Sequence, residues 1–211
     1  MRFVTRSAVV RIGAGALALS LLAGGAVVAQ AALTRVPSEV QAGDYRLDPA
    51  HGKITWSVDH LGFSKYYGQF VNVSAELKLD PTNPSASSLT ATIPLTDVAS
   101  NSDGLNRHLQ TADFFDTANH PVATFRSTHI MLDPSEPNEA MVHGELTLRG
   151  VTKPVTMEVE FNQAGQTRGG YKAGFDGEAK IKRSDFGITF GLPALGDEVD
   201  LHIEGEFVKQ G

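Results

Sequence analysis

The chain has 211 residues, of which 41% are hydrophobic and 20% are charged, a composition typical of one globular domain with its own core. Its formal net charge is −6, and without residues 1–31, which contain three arginines and no acidic residue, 15 basic and 24 acidic residues remain. An acidic body excludes nucleic acid as a partner, because phosphate binding requires a cationic surface. The absence of cysteine excludes a disulfide framework and a lipid-modified N-terminal cysteine.

Residues 1–31 have the features of a secretory signal peptide. Three arginines form a positive region, residues 12–28 supply a stretch rich in alanine, glycine, leucine and valine, and Ala29-Gln30-Ala31 matches the small-x-small cleavage pattern. The alternative is an uncleaved membrane anchor, but the many alanines and glycines make the stretch only weakly hydrophobic. We therefore expect export to the periplasm, with no stable membrane span left after cleavage.

The rest of the chain divides into a linker, residues 32–43, and one domain, residues 44–209. In the domain, apolar residues recur at every second position. The clearest rows are Ile54, Trp56, Val58 and His60; Ala75, Leu77 and Leu79; Val155, Met157, Val159 and Phe161; and Val199, Leu201, Ile203 and Phe207. This period predicts strands with one buried and one wet face, the pattern of antiparallel sheets.

Turn-forming residues separate four further predicted strands, namely Ser88–Pro94, Val122–His129, Ala140–Leu148 and Gly170–Ile181. About eight strands with hairpin-like spacing predict an all-β barrel or sandwich, and alternation alone does not choose between them. One helical insert is predicted at Gly104–Ala112, where Leu105, Leu109 and Ala112 share a face. A shorter turn is predicted at Arg183–Phe186.

Motifs for catalysis are scarce. The sequence has no G-x-S-x-G elbow, no phosphate-binding glycine-rich loop before a helix and no cysteine nucleophile. The seven histidines lie far apart, and although barrel strands could bring His60, His129 and His143 together, we expect no metal site. His60 continues an inward row, either as a core histidine bonded to backbone or as a ligand contact.

Several stretches along residues 44–209 match a known family in order. They are Tyr45-Arg46-Leu47-Asp48 with His51, Ile54 to Gly62, His108 to Asp116, Thr124 to Thr128, Gly144 to Pro154 and Arg183 to Gly187. With these stretches the chain resembles the YceI-like family, the polyisoprenoid-binding, lipocalin-like periplasmic proteins. The resemblance covers essentially the whole domain.

The resemblance implies an antiparallel eight-stranded lipocalin-like barrel with one short helical insert and an interior that holds a long isoprenoid tail. It implies no catalytic residues. Closure of such a barrel removes exposed sheet edges. The residues expected to contact the ligand are Trp56, Val58, His60, Phe70, Leu89, Ile93, Phe125, Leu146, Met157, Val159, Phe175 and Ile203. For each of them the alternative is ordinary packing in the core.

The expected function is non-catalytic binding, transport or sequestration of an apolar chain-like lipid. The expected ligand is an isoprenoid or isoprenoid quinone, and no other cofactor is expected. One alternative is a hydrolase or isomerase in which His60 works with Asp59 or Asp97. Another is a packed stress-protective module with a filled core. The sequence leaves the oligomeric state open, a homodimer included.

Overall fold

The computed structural model describes residues 33–211, so the predicted signal peptide lies outside the described residues. In chain order the elements are β1 (Leu33–Thr34), β2 (Gly43–His60), β3 (Ser64–Phe70), β4 (Ser74–Leu79), β5 (Ser88–Pro94), β6 (Val98–Ala99), α1 (Asp103–Leu109), β7 (Val122–Leu132), β8 (Glu139–Leu148), β9 (Val151–Thr167), β10 (Gly170–Lys182) and β11 (Leu195–Lys209). Short 3-10 turns lie at Pro37–Glu39, Pro84–Ala86, Leu95–Asp97 and Arg183–Phe186.

Antiparallel pairing joins the strands into one closed sheet. The neighbours around it are β2, β4, β5, β7, β8, β9, β10 and β11, and β11 pairs with β2 to complete the ring. β3 pairs with the second half of β2 and β4 with its first half, so β3 and β4 are two pieces of one barrel strand. They are separated at Asn72, whose φ is 57°. The fold is an eight-stranded antiparallel barrel with one short helix, which confirms the predicted fold class.

The strand bounds follow the period-two rows. β5 has the predicted bounds Ser88–Pro94, while the strand predicted from Val122 continues to Leu132. The sequence does not predict β3, because its inward positions are Tyr66, Gly68 and Phe70 and so do not form a continuous apolar row. A glycine in the middle interrupts the apolar row that would mark the strand in the sequence.

Trp56 fills the barrel interior because the residue opposite it on β3 is a glycine. Trp56 and Gly68 are register partners, and a Cβ atom on Gly68 would stand 2.1 Å from Cζ2 of the indole. Tyr66 stacks on the same indole, with the ring centroids 6.3 Å apart. Trp56 is buried, and this aromatic layer closes the interior at that level.

Arg183 closes the same end of the barrel. It is buried and donates hydrogen bonds to four backbone carbonyl oxygens, those of Ile188, Phe190, Leu195 and Gly196. Burial lowers the pKa of the Arg183 guanidinium. Because the guanidinium presents its N–H groups in a fixed plane, one side chain holds the whole connection that leads into β11.

The tight turn between β8 and β9 attaches the helical insert to this end. Arg149 and Gly150 have φ values of 53° and 74°, the positive values that a two-residue hairpin turn requires. The Arg149 guanidinium donates to the carbonyl oxygen of Ala112, at 2.8 Å, and to that of Gly187. The turn therefore joins the segment after α1 to the 3-10 turn before β11.

Residues 33–43, most of the predicted linker, pack against the barrel. β1 pairs with Ala164 and Gly165 of β9, and Val40 is buried in the core. The Tyr45 hydroxyl donates a hydrogen bond to the backbone carbonyl oxygen of Gln41 at 2.5 Å. The Lys209 ammonium donates one to the side-chain oxygen of Gln41 at 2.9 Å. A two-residue strand and a 3-10 turn leave no periodic pattern in the sequence, which is why this segment resembled a linker.

We predict that Gly68→Ala destabilises the protein by about 1–3 kcal/mol, because the new methyl group must displace the Trp56 indole in a packed layer. Urea unfolding followed by circular dichroism would measure the loss. Gly104→Ala is the matched control: its Cβ would meet only Ser102 Oγ at 3.8 Å, and alanine favours helix, so stability should be unchanged or higher. Equal effects of the two substitutions would contradict the packing argument.

Candidate functional site

The inward side chains of the barrel enclose a cavity of about 550 Å³. Its wall includes the whole row of β9 from Val155 to Phe161, and it reaches the loops 80–87 and 133–138 and the segment 36–40. Since successive residues of a strand point to opposite faces, each strand of a closed barrel contributes alternate side chains to this one interior. The cavity is therefore the direct product of the period-two rows.

The size of the inward side chains decides which part of the barrel is hollow. Small residues line the cavity, namely Ala75, Ala91, Ala140, Gly177 and Ala179. Towards the end closed by α1, large rings fill the interior instead: Phe70 packs on Phe115 with centroids 5.5 Å apart, beside the Trp56 layer. The hollow therefore lies between this aromatic floor and the loops at the opposite end, the mouth of the cavity.

Eight of the twelve residues expected to contact a ligand line the cavity. They are Leu89, Ile93, Phe125, Leu146, Met157, Val159, Phe175 and Ile203. The other four do not line it. Trp56 and Phe70 are buried in the main hydrophobic core, Val58 packs against that core, and the His60 ring lies beside Tyr66 with centroids 6.2 Å apart. Their rows were identified correctly, but they lie below the aromatic floor or form part of it.

Sequence reasoning missed other lining residues. Leu77 and Leu79 line the cavity with Leu201, and all three stand in rows that already marked inward faces. Prolines also contribute to the mouth, namely Pro37, Pro81, Pro84, Pro134 and Pro137. The sequence identified the last four only as turn signals, because the position of a loop over an opening is a tertiary property.

The deep wall of the cavity is apolar, for example at Ile93, Leu146 and Val155, and a few charged residues complete the lining. The charged lining residues are Lys53, Asp80, Asp133, Asp176 and Glu204. The Lys53 ammonium lies 2.9 Å from the Glu204 carboxylate, so the one basic group among them is paired. The cavity is thus an apolar chamber whose loop charges, Asp80 and Asp133, stand at the mouth.

The groups proposed for catalysis do not converge. The Asp59 carboxylate accepts a hydrogen bond from the Gly62 N–H at 2.9 Å, and the Asp97 carboxylate accepts one from the Asn72 amide at 3.0 Å. Both carboxylates therefore stabilise turns. His60, at the end of β2, lies outside the cavity wall.

The three histidines considered for a metal site are also separated. His129 and His143 stack across β7 and β8 with ring centroids 6.4 Å apart, and His143 Nδ1 lies 2.8 Å from Thr156 Oγ1. His60 belongs to β2, which pairs with β3 and β11 on another part of the ring. This trio does not form a ligand set.

A different polar cluster lies on the outside of the barrel, where the register between β2 and β11 is interrupted. Ligand atoms of Asp48, His51 and Glu206 all lie within 4.8 Å of one another, a spacing that suits a metal ion. The Lys172 ammonium, however, lies 2.9 Å from the Asp48 carboxylate and 2.7 Å from that of Glu206. A cationic side chain thus already bridges the two carboxylates and offsets one of their two charges. Hydrogen bonds from Lys172, from the Ala50 N–H and from His51 lower the pKa of Asp48 to about 2.

Comparison with known proteins agrees with the barrel and with the motifs. The family model described as the YceI-like domain matches residues 45–207. The chain belongs to the YceI-like family. Protein YceI of Escherichia coli O6:H1 is 41% identical to it over 172 residues, which cover 80% of this chain and 88% of that protein.

Solved structures share the YceI-like barrel. BcnA of Burkholderia cenocepacia superposes with a TM-score of 0.69 at 28% identity, covering 76% of this chain and 98% of that chain. A polyisoprenoid binding domain from Saccharophagus degradans, implicated in plant cell wall breakdown, gives a TM-score of 0.60 over 81% of this chain and 100% of that chain. Its identity is 15%, so this likeness concerns the fold alone.

Across residues 33–211, no helix has the length and apolar character needed to cross a bilayer.

We predict that the Asp48 cluster makes stability depend on acid pH. A carboxyl whose pKa falls from 3.8 to about 2 on folding stabilises the folded state above about pH 4, and this contribution disappears as the pH falls towards 2. The stability difference between the wild type and Asp48→Asn, measured by urea unfolding, should therefore shrink over that range. Lys172→Met should weaken the same pH dependence. A difference that stays constant down to pH 2 would contradict the assignment.

Proposed function

We propose that this protein binds an apolar chain-like lipid, an isoprenoid or isoprenoid quinone, and carries or sequesters it without changing it covalently. The observation that carries the proposal is the cavity of about 550 Å³ in the barrel, whose deep wall is apolar. Ligand pockets of small molecules span about 300–1,000 Å³ and are mostly apolar with a few polar groups. This cavity has that size and that distribution of polarity.

The binding energy would come from removing hydrocarbon from water. Each buried CH₂ group contributes about 0.8 kcal/mol, so about ten such groups contribute roughly 8 kcal/mol before the costs of association are subtracted. No directional chemistry is needed along the chain of the ligand. The deep wall at Ile93, Leu146 and Val155 offers contact without hydrogen-bonding groups, which suits a hydrocarbon tail and would penalise a buried polar group.

Three further observations support the proposal. The chain belongs to the YceI-like family, and the polyisoprenoid binding domain of Saccharophagus degradans has the same fold. The signal-like sequence of residues 1–31 supports a periplasmic location for the mature protein. In an aqueous compartment a long prenyl chain needs a protein or a membrane to shield it from water, which gives such a cavity a purpose.

The alternatives receive less support from the geometry. A packed stress-protective module would need a filled core, whereas small residues such as Ala91 and Ala179 leave this interior hollow. A hydrolase or isomerase centred on His60 would need a carboxylate beside the imidazole, and both Asp59 and Asp97 bind other groups. Binding is the function that the site supports best.

We predict that filling the cavity weakens lipid binding. Ala91→Leu combined with Ala179→Leu adds six carbon atoms to the hollow that a tail would occupy, and the affinity for geranylgeraniol should fall about tenfold or more. Titration against a neutral naphthylamine dye, with fluorescence as the readout, would measure displacement by the lipid. Thermal unfolding would establish that the variant is folded.

Ala118→Leu is the matched control, because Ala118 is exposed in the loop before β7. This variant should bind dye and lipid like the wild type. Failure of the wild type to take up either compound, or unchanged binding in the filled variant, would contradict the proposal.

A further inference from the structure

The residues at the mouth of the cavity bear on which head group the ligand has. This inference rests on the proposed lipid-binding function. The deep wall is apolar, so a polar head group would be left there without partners. The tail therefore enters first, and the head group stays at the mouth among the loops 80–87 and 133–138. The charged groups of these loops are therefore the ones that a head group would meet.

Both loops contribute a carboxylate to the mouth. Asp80 Oδ1 accepts hydrogen bonds from the N–H groups of Thr82, at 3.0 Å, and Asn83, at 2.9 Å. Asp133 Oδ1 accepts a hydrogen bond from the Ser135 N–H at 2.7 Å. In each loop the aspartate therefore occupies backbone donors that could otherwise bind an anion.

These hydrogen bonds also favour the ionised form of the two carboxylates. Hydrogen bonds from Thr82 and Asn83 lower the pKa of Asp80, and hydrogen bonds from Ser135 lower that of Asp133. Beside the second loop, desolvation raises the pKa of Glu139, and the negative charges of Glu136 and Asp133 add to this shift.

Cations to offset this charge are scarce in the lining, and the positive charge that acts on Asp80 comes from Lys78, an exposed residue outside the lining. Lys53 is the one basic residue that lines the cavity within residues 33–211, and its ammonium is paired with Glu204 at 2.9 Å. Recognition of a phosphate head group relies on arginine or lysine, or on free backbone N–H groups. The lining supplies no unpaired basic group, and the loop donors described above are occupied.

We propose that the mouth carboxylates of Asp80 and Asp133 select against lipids with a phosphate head group, so the protein takes prenyl chains with an uncharged head group such as an alcohol or a quinone. The aspartates act as specificity-determining residues. They leave the apolar tail free to bind and penalise a second anion at the mouth.

Two probes with the same chain test this proposal, geranylgeraniol and geranylgeranyl phosphate. At low ionic strength the wild type should bind the alcohol about tenfold more tightly than the phosphate, the effect expected when a phosphate dianion faces two carboxylates about 10 Å away in water. The ratio should fall as salt is added, because screening weakens repulsion between exposed charges. Affinities would be measured by displacement of the neutral dye.

The decisive variant is Asp80→Asn combined with Asp133→Asn. An asparagine side-chain oxygen can accept the same loop hydrogen bonds, so the loops keep their turns while two charges disappear. The preference for the alcohol should fall to about twofold or less. Asp103→Asn combined with Glu198→Gln is the control, since it changes the net charge equally at exposed positions near the closed end; its ratio should match the wild type.

Equal affinity of the wild type for both probes would overturn the inference and leave lipid binding intact. An unchanged ratio in the asparagine variant, or an equal change in the control, would overturn the assignment to Asp80 and Asp133. If the wild type bound neither probe, the proposed function would fail and the inference with it.

Discussion

The pairing of β11 with β2 is the constraint on which the structure depends. It closes the sheet, and closure directs alternate side chains of every barrel strand into one shared interior. β2 makes this possible by pairing with β11 on one side and, through its first and last residues, with β4 and β3 on the other. Without that pairing the inward rows would face water, and neither the aromatic floor nor the cavity would exist.

The interior that results is divided by side-chain volume. Trp56, Tyr66 and Phe70 are large enough to fill the barrel near α1, and Gly68 gives the indole its space. Further along the axis the inward positions include Gly177 and Ala179, and the barrel is hollow. Arg183 stabilises the closed end through four backbone carbonyl groups. One end of the barrel is thus filled by side chains and held by hydrogen bonds, and the interior further along is hollow.

The sequence predicted the faces of the strands better than the extent of the cavity. Period-two rows identify inward residues because alternation is a local property of a strand. Whether an inward residue fills the barrel or lines a hollow depends on its neighbours across the sheet. Trp56 and Ile54 share one row, yet Ile54 lines the cavity and Trp56 does not, because Trp56 lies over Gly68 beneath the hollow. That contact is not visible in either segment alone.

The family motifs predicted the fold but left the ligand open, because several of them lie away from the cavity. Several of them occupy the closed end, such as Arg149-Gly150 and the 3-10 turn at Arg183, where they hold connections together. Small lining residues such as Ala91 and Ala179, and the mouth aspartates, lie outside those stretches. The matched stretches do contribute lining residues such as Phe125 and Leu146, so they specify part of the cavity wall but not its small residues or its mouth.

Native mass spectrometry of the protein, expressed with residues 1–31 and isolated without organic solvent, tests the central claim most directly. Our account predicts a mass above that of the processed chain, and the added mass should be a lipid that is lost when the barrel is unfolded. A protein that always shows the mass of the bare chain, and gains none after incubation with prenyl lipids, would contradict it.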